Sequence, residues 1–268
     1  MIDALAATPA HTPVATRRED YREPDWLVPE IALDVDLDPA ATRVKATLTV
    51  ERNGAHDRSL RLDGDGLAPL SVKVDGADAA YEMDGPALVI ALTGERHIVE
   101  TQVEIAPERN TQLMGLYASG GNLCTQCEAE GFRRITFFPD RPDVLSRYRV
   151  RMTADKARFP VLLANGDPIA QGDAPDGKHW AEWHDPFPKP CYLFALVAGD
   201  LAANRGTFTT LSGREVQLGI WVRTQDLAKT DHALHALKLS MAWDEKVYGR
   251  EYDLDVFNIV AVDDFNFG

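Results

Sequence analysis

Cysteine is scarce, with 3 residues in a chain of 268. A secreted disulfide framework wants more of them, and an even number, so a reduced, cytosolic chain is expected. Basic side chains are also in deficit: 28 Lys and Arg against 42 Asp and Glu give a formal charge of −14. No basic run exceeds the pairs Arg17-Arg18 and Arg133-Arg134. A nucleic-acid binder needs clustered cations to displace counterions, so no nucleic acid and no anionic membrane surface is expected as a partner, and cationic ligands are favoured. Long apolar runs are missing. The longest, residues 192–199, is far too short to cross a bilayer, and the first residues lack the continuous apolar stretch of a signal peptide. A soluble, cytoplasmic protein is the expectation. There is no internal repeat, no low-complexity tract, and no helical period before about residue 200.

What is present is ample material for a core. Hydrophobic residues make up 45% of the chain and charged residues 26%, ordinary proportions for a globular protein. Residues 1–24, rich in Ala, Thr, Pro and charge, read as a mobile lead-in. Then Ile31, Leu33, Val35 and Leu37 alternate with Ala32, Asp34 and Asp36. Val44, Ala46, Leu48 and Val50 repeat the period after the turn signal "DPAAT". Two half-buried strands follow from that pattern. Further strands are predicted at 71–74, 87–92, 97–105, 148–152 and 161–163, separated by "DGDG", "DGAD", "LTGE", "ASGG" and similar turns. This cadence predicts a mainly β chain: an antiparallel β-sandwich or curved sheet over residues 25–200. "HDPFPKP" predicts an irregular edge, and the apolar run after it a buried strand.

Beyond residue 200 the texture changes. "GTFTTLSGREVQLGIWV" reads as a hairpin. "TQDLAKTDHALHALKLSMAWDEKVYG" reads as a helix, with Leu234, Leu237, Met241 and Val247 as its apolar stripe and Gly249 as its stop. A strand at 256–262 follows. These elements are too few for a second core of their own. A truncated domain with exposed apolar surface, prone to self-association, is therefore expected over 201–268.

The densest chemistry lies in "NLCTQCEAEGFRRITFFPDRPDV", residues 122–144. Cys124 and Cys127 form a C-x-x-C, but structural zinc needs four ligands, usually as two pairs. No second Cys pair exists, and His232/His235 and His179/His184 lack the H-E-x-x-H pattern. No metal site is predicted in this chain. No helical period follows the cysteines, as a redox C-x-x-C would require, so buried, inert thiols are expected. In an extended segment, Gln126, Glu128 and Glu130 share one face and Cys127 and Ala129 the other. Facing solvent, that row is an ordinary hydrated surface. Facing a cleft, it would receive an ammonium group. Spacing alone leaves both readings open.

"TQCEAEGFRRITFFPDRPDV" resembles the signature that ends the N-terminal domain of the zinc-dependent gluzincin aminopeptidase family, in its bacterial aminopeptidase N branch. "PKPCYLFALVAGDL" resembles that family's domain-closing strand, and "NIVAVDDFNFG" the strand leading into its G-A-M-E-N motif. The resemblance implies a β-rich N-terminal domain to about residue 200, then the opening hairpin, helix and strand of a thermolysin-like catalytic domain. It implies peptide substrates with a free N-terminus, and zinc in the full-length enzyme held by residues outside this chain. It makes Glu128 the acid that grips the substrate α-ammonium and Gln126 a residue of the first-residue pocket. Phe267 matches a further pocket position and Gly268 the first glycine of G-A-M-E-N. Glu130 carries no family role and is expected to pair with Arg133 or Arg134. No catalytic residue and no bound metal are expected in this chain, whose natural partners would be its own downstream catalytic and C-terminal domains. The alternative is a stand-alone β-sandwich binding or scaffold module, with an acidic face for a cationic partner.

Overall fold

The computed structural model describes residues 17–265. The strands in the first part of the chain are β1 (Trp26–Leu37), β2 (Thr42–Arg52), β3 (Leu60–Leu62), β4 (Pro69–Val74), β5 (Ala77–Asp78), β6 (Glu82–Asp84), β7 (Ala87–Ile90) and β8 (Arg96–Ile105). Then come β9 (Gly115–Ser119), β10 (Asn122–Gln126), β11 (Ser146–Asp155), β12 (Val161–Ala164), β13 (Asp167–Asp173), β14 (Lys178–Lys189) and β15 (Leu196–Gly199). The last part holds β16 (Ala202–Thr209), β17 (Glu215–Val222), helix α1 (Asp231–Tyr248) and β18 (Val256–Val260). Among the described residues α1 is the only α-helix, and it is not long and apolar enough to cross a membrane.

The alternation in β1 translates directly into burial. Ile31, Leu33, Val35 and Leu37 are buried while Ala32, Asp34 and Asp36 are exposed. β1 lies in the middle of an eight-stranded sheet of order β13-β14-β11-β1-β2-β8-β4-β5. A four-stranded sheet, β12-β15-β10-β9, and a three-stranded sheet, β3-β7-β6, complete the first body. One apolar cluster joins them, with Leu33, Leu48 and Val99 from the large sheet against Leu62, Leu88, Leu123, Phe132, Phe138 and Leu196. The mainly β fold is as expected, but not every pairing is antiparallel. β1 pairs with β11 in parallel, Glu30 opposite Arg147 through Leu37 opposite Ala154. β17 and β18 are also parallel. Alternation reports which face a residue occupies, and strand direction across a long connection leaves no trace in it. The "HDPFPKP" prolines fall at the end of β14, where its register with β11 shifts between Ser146 and Tyr148.

The last part of the chain departs from expectation in one respect. β16, β17 and β18 form their own sheet, with α1 packed against it. Val216, Leu218, Ile220 and Val222 meet Leu237 and Met241 in a small second core. Trp221, one residue out of that phase, joins the main cluster instead. β17 thus buries one whole face in the second core and, through Trp221 on the other face, ties the two cores together. The helix proper starts at Asp231, after a 3-10 turn over Thr224–Lys229. Its buried stripe runs Leu237, Met241, Glu245 rather than to Val247, which is 50% exposed. Glu245 is buried because its carboxylate accepts the Leu211 N–H. Gly249 ends the helix at φ 63°, donating to Glu245 O at 3.0 Å. Leu211, Leu239, Trp243, Val247 and Tyr248 are exposed.

Neighbouring positions on β1 test the face assignment. Leu33→Ala should lower unfolding free energy in urea by about 2–5 kcal/mol. Asp34→Ala, on the wet face, should change it by no more than about 0.5 kcal/mol.

Candidate functional site

The segment that carries Gln126 and Glu128 begins as a tight hairpin. β9 and β10 pair antiparallel from Ser119–Asn122 to Gly115–Gln126. They are joined by Gly120 and Gly121 at φ +56° and +89°, the left-handed pair that matches strand twist in a two-residue turn. β10 is buried along its whole length, between β9 and β15. Past Cys124 the ladder to β15 is continued by a side chain: Thr125 Oγ1 accepts the Leu196 N–H at 2.9 Å.

At Gln126 the strand stops, and here the structure corrects the expected alternation. Residues 127–131 form a turn, closed by Gly131 N donating to Cys127 O at 2.8 Å. Gln126 and Cys127 are buried, whereas Glu128, Ala129 and Glu130 are all exposed. The two-residue period fails because the chain folds back over itself. A Cβ on Gly131 would sit 2.3 Å from Gln126 O and 2.8 Å from Cys127 Cα, so only glycine permits the return. The Gln126 amide still bears on Glu128: its Nε2 donates to the Glu128 carbonyl at 3.2 Å, bracing the apex of the turn.

Beyond the turn, Phe132 is fully buried and packs edge-on against Phe138, Tyr148 and Phe194. Arg133 then meets Asp140, whose side chain is 1% exposed. Arg133 N and Nε donate to Asp140 Oδ2 at 3.0 and 3.1 Å, and its terminal nitrogen donates to Asp140 O at 3.0 Å. Asp140 Oδ1 accepts the Cys191 thiol at 2.9 Å, and Asp140 N donates to Asp63 Oδ2 at 3.1 Å. Burial opposes the charge of the Arg133 guanidinium, and the carboxylates of Asp140, Asp63 and Glu130 together more than offset it, raising the pKa. Glu130 lies 3.3 Å from Arg133, the structural pairing expected for it, while Arg134 pairs with Asp65 at 2.5 Å.

The hairpin also touches the last described residues. Tyr117 Oη donates to Asp264 O at 2.7 Å and Ser119 Oγ to Asp264 Oδ2 at 2.9 Å. Asp264 N returns a bond to Ser119 Oγ at 3.0 Å. Between them opens a cleft of about 380 Å³ lined by Cys124, Thr125, Ala195, Val197, Asn258, residues 260–262 and Phe265. Phe267 and Gly268 lie outside the described residues. Sequence reasoning missed Asp140, Cys191, Tyr117, Ser119 and Asp264. The Pro-Asp in "FFPDRPD" is visible in the sequence, but its partners Asp63 and Cys191 lie 77 and 51 residues away.

The three cysteines are free and buried. Burial raises the pKa of Cys124, and it raises those of Cys127 and Cys191 further, with the nearby Asp140 charge adding to both. His232 and His235 are exposed on α1. Among the described residues no three His, Cys, Asp or Glu side chains cluster as metal ligands.

The first body is β-rich and holds Glu128 exposed on a turn braced by the Gln126 amide, and β10 shares a cleft with the strand β18 and the residues after it. Residues 21–193 match the Peptidase M1 N-terminal domain, and the chain belongs to the M1 peptidase family. It is 52% identical over 260 residues to aminopeptidase N of Caulobacter vibrioides, covering 96% of this chain and 30% of that protein. It is 51% identical over 257 residues to the Escherichia coli aminopeptidase N, with the same coverage of each. Among solved structures, Legionella pneumophila aminopeptidase A in complex with aspartic acid superposes with TM-score 0.89 at 34% identity, over 94% of this chain and 30% of that one. An M1 zinc metallopeptidase from Deinococcus radiodurans shares the fold at TM-score 0.76 and 17% identity, over 88% of this chain and 56% of that one. The chain thus spans about 30% of the length of the curated relatives it matches. A match running through both the first body and the second unit does not favour a stand-alone scaffold module.

The raised thiols have a signed consequence. A thiol whose folded pKa exceeds its ordinary 9.0 keeps its proton where the unfolded chain has lost it. Stability is therefore complete below pH ~9 and falls as pH rises above it. The urea midpoint should be flat from about pH 7 to 8 and lower at about pH 10. Iodoacetamide at about pH 8 should leave native thiols unmodified and label all three in urea. Rapid labelling of any native cysteine would contradict the assignment.

Proposed function

We propose that this chain is the N-terminal portion of a zinc-dependent aminopeptidase that releases amino acids from the free N-terminus of peptides. Residues 25–200 form its recognition domain and residues 201–268 the beginning of its catalytic domain. In this reading Glu128 receives the substrate α-ammonium and Gln126 lines the pocket for the first side chain. Phe267 and Gly268 contribute to the same pocket. The observation that carries it is the placement of Glu128, an exposed carboxylate at the apex of a turn closed by Gly131 and braced by the Gln126 amide.

The chemistry supports the role. An exopeptidase must sense where a chain begins, and the ammonium is the mark found there. A carboxylate held on a rigid turn meets it with charge-assisted hydrogen bonds, roughly twice as strong as neutral ones. Because the turn is already folded, little ordering cost accompanies binding. The same carboxylate discriminates against blocked termini, which bring no charge to offset the desolvation of Glu128. Zinc is the family's metal. It would activate the water that attacks the first peptide carbonyl, while this chain's residues bind and orient the amine end. A cytoplasmic location is in keeping with three unpaired, buried thiols.

The test is Glu128→Ala in the full-length enzyme, assayed on an aminoacyl-arylamide. Loss of a charge-assisted contact is worth about 2 kcal/mol, so kcat/KM should fall about 30-fold. Unchanged kcat/KM would remove the amine-anchor role.

A further inference from the structure

We propose that Asp140 is a positioning residue for substrate recognition, acting through Arg133 to hold the turn that presents Glu128. The inference rests on the amine-anchor reading of Glu128. The turn has two feet. One is β10, through the Gly131–Cys127 bond at 2.8 Å and the Gln126–Glu128 bond at 3.2 Å. The other is Arg133, only two residues past Gly131 and fixed to Asp140 by a main-chain donor, a side-chain donor and a bond to the Asp140 carbonyl. Asp140 is itself held from three directions: by Arg133, by the Cys191 thiol at 2.9 Å and by Asp63 at 3.1 Å. Displacement of Asp140 would loosen the second foot, leaving it the packing of Phe132 and the Asp65 N–H bond to Arg133 O at 2.9 Å.

The electrostatics add a second effect. Arg133 is the guanidinium nearest the acidic turn in sequence, and it already lies 3.3 Å from Glu130. Its Nε is committed inward to Asp140. Without that carboxylate, the guanidinium would be drawn outward to the acids of the turn. A cation already resting there competes directly with an incoming ammonium. Asp140 therefore keeps the anchor both in place and unneutralised. Both effects act on substrate binding rather than on the chemical step.

A double-mutant cycle in the full-length enzyme separates this role from simple structural support. Asp140→Asn preserves shape and removes charge. It should raise KM for a free-amine aminoacyl-arylamide about tenfold, with kcat within about twofold. In a Glu128→Ala background the same substitution should change KM by less than about twofold, since the group being positioned is gone. Equal losses in both backgrounds would overturn the proposal. If Asp140→Asn shows no cooperative urea transition, the comparison moves to Cys191. Cys191→Ser keeps a donor to Asp140 and should stay within about twofold of the parent, while Cys191→Ala should raise KM about threefold, and only with Glu128 present. Identical behaviour of Ser and Ala would likewise overturn it. If Glu128→Ala is itself silent, the anchor reading fails and takes this inference with it. If Glu128→Ala is damaging but the cycle is additive, only the Asp140 inference fails.

Discussion

A carboxylate removed from water must be met by donors from the protein, and the one at Asp140 gathers much of the first body around itself. With its side chain 1% exposed, it draws Arg133 from the turn region and Cys191 from the stretch between β14 and β15. Its main-chain N–H adds Asp63, beyond β3. The isolated bridge between Asp63 and Phe138 runs alongside. Three stretches remote in sequence therefore converge on a single acid. Around it the aromatic group of Phe132, Phe138, Tyr148 and Phe194 supplies the apolar bulk. Removing one partner of such a buried pair typically costs about 3–5 kcal/mol.

This arrangement recasts the cysteines. Their C-x-x-C spacing suggests sulfur chemistry, yet each thiol is buried and unpaired. Cys191 serves as a hydrogen-bond donor to Asp140. Cys127, the first residue past the buried strand, offers its carbonyl to Gly131. The sulfur atoms behave as small apolar groups with an occasional donor, and the polar work of the segment falls to the residues beside them.

Much of the fold was legible along the chain because burial in a half-wet strand repeats every second residue. The alternation of Ile31, Leu33, Val35 and Leu37 appears unchanged in the structure. So do the hairpin of β16 and β17 and the glycine stop at Gly249. Illegible were features fixed by partners distant in sequence. The parallel seam between β1 and β11 joins residues more than a hundred positions apart, such as Glu30 and Arg147. The second core arises because one face of β17 meets α1 while Trp221 on the other face meets the main cluster, a division of partners that the run of apolar residues at its end does not show. At the candidate site, Gln126 and Glu128 are legible as an amide and a carboxylate two residues apart in one short segment. The alternation rule then misplaced them, since the return at Gly131 depends on a close approach to the Gln126 backbone that one-dimensional pattern does not encode.

The bonds from Tyr117 and Ser119 to Asp264 close loops of 147 and 145 residues. Contacts of such long range are the last to form in a folding chain. During synthesis at roughly 5–20 residues per second, the hairpin waits about 7–30 s for its partner to be made. The first body, whose cluster draws mostly on residues before 202, has that interval to assemble. The later segment then arrives at a finished surface, with Tyr117 and Ser119 already aligned on one strand to receive it. Vectorial synthesis thus makes the first body the template on which the second unit is laid down.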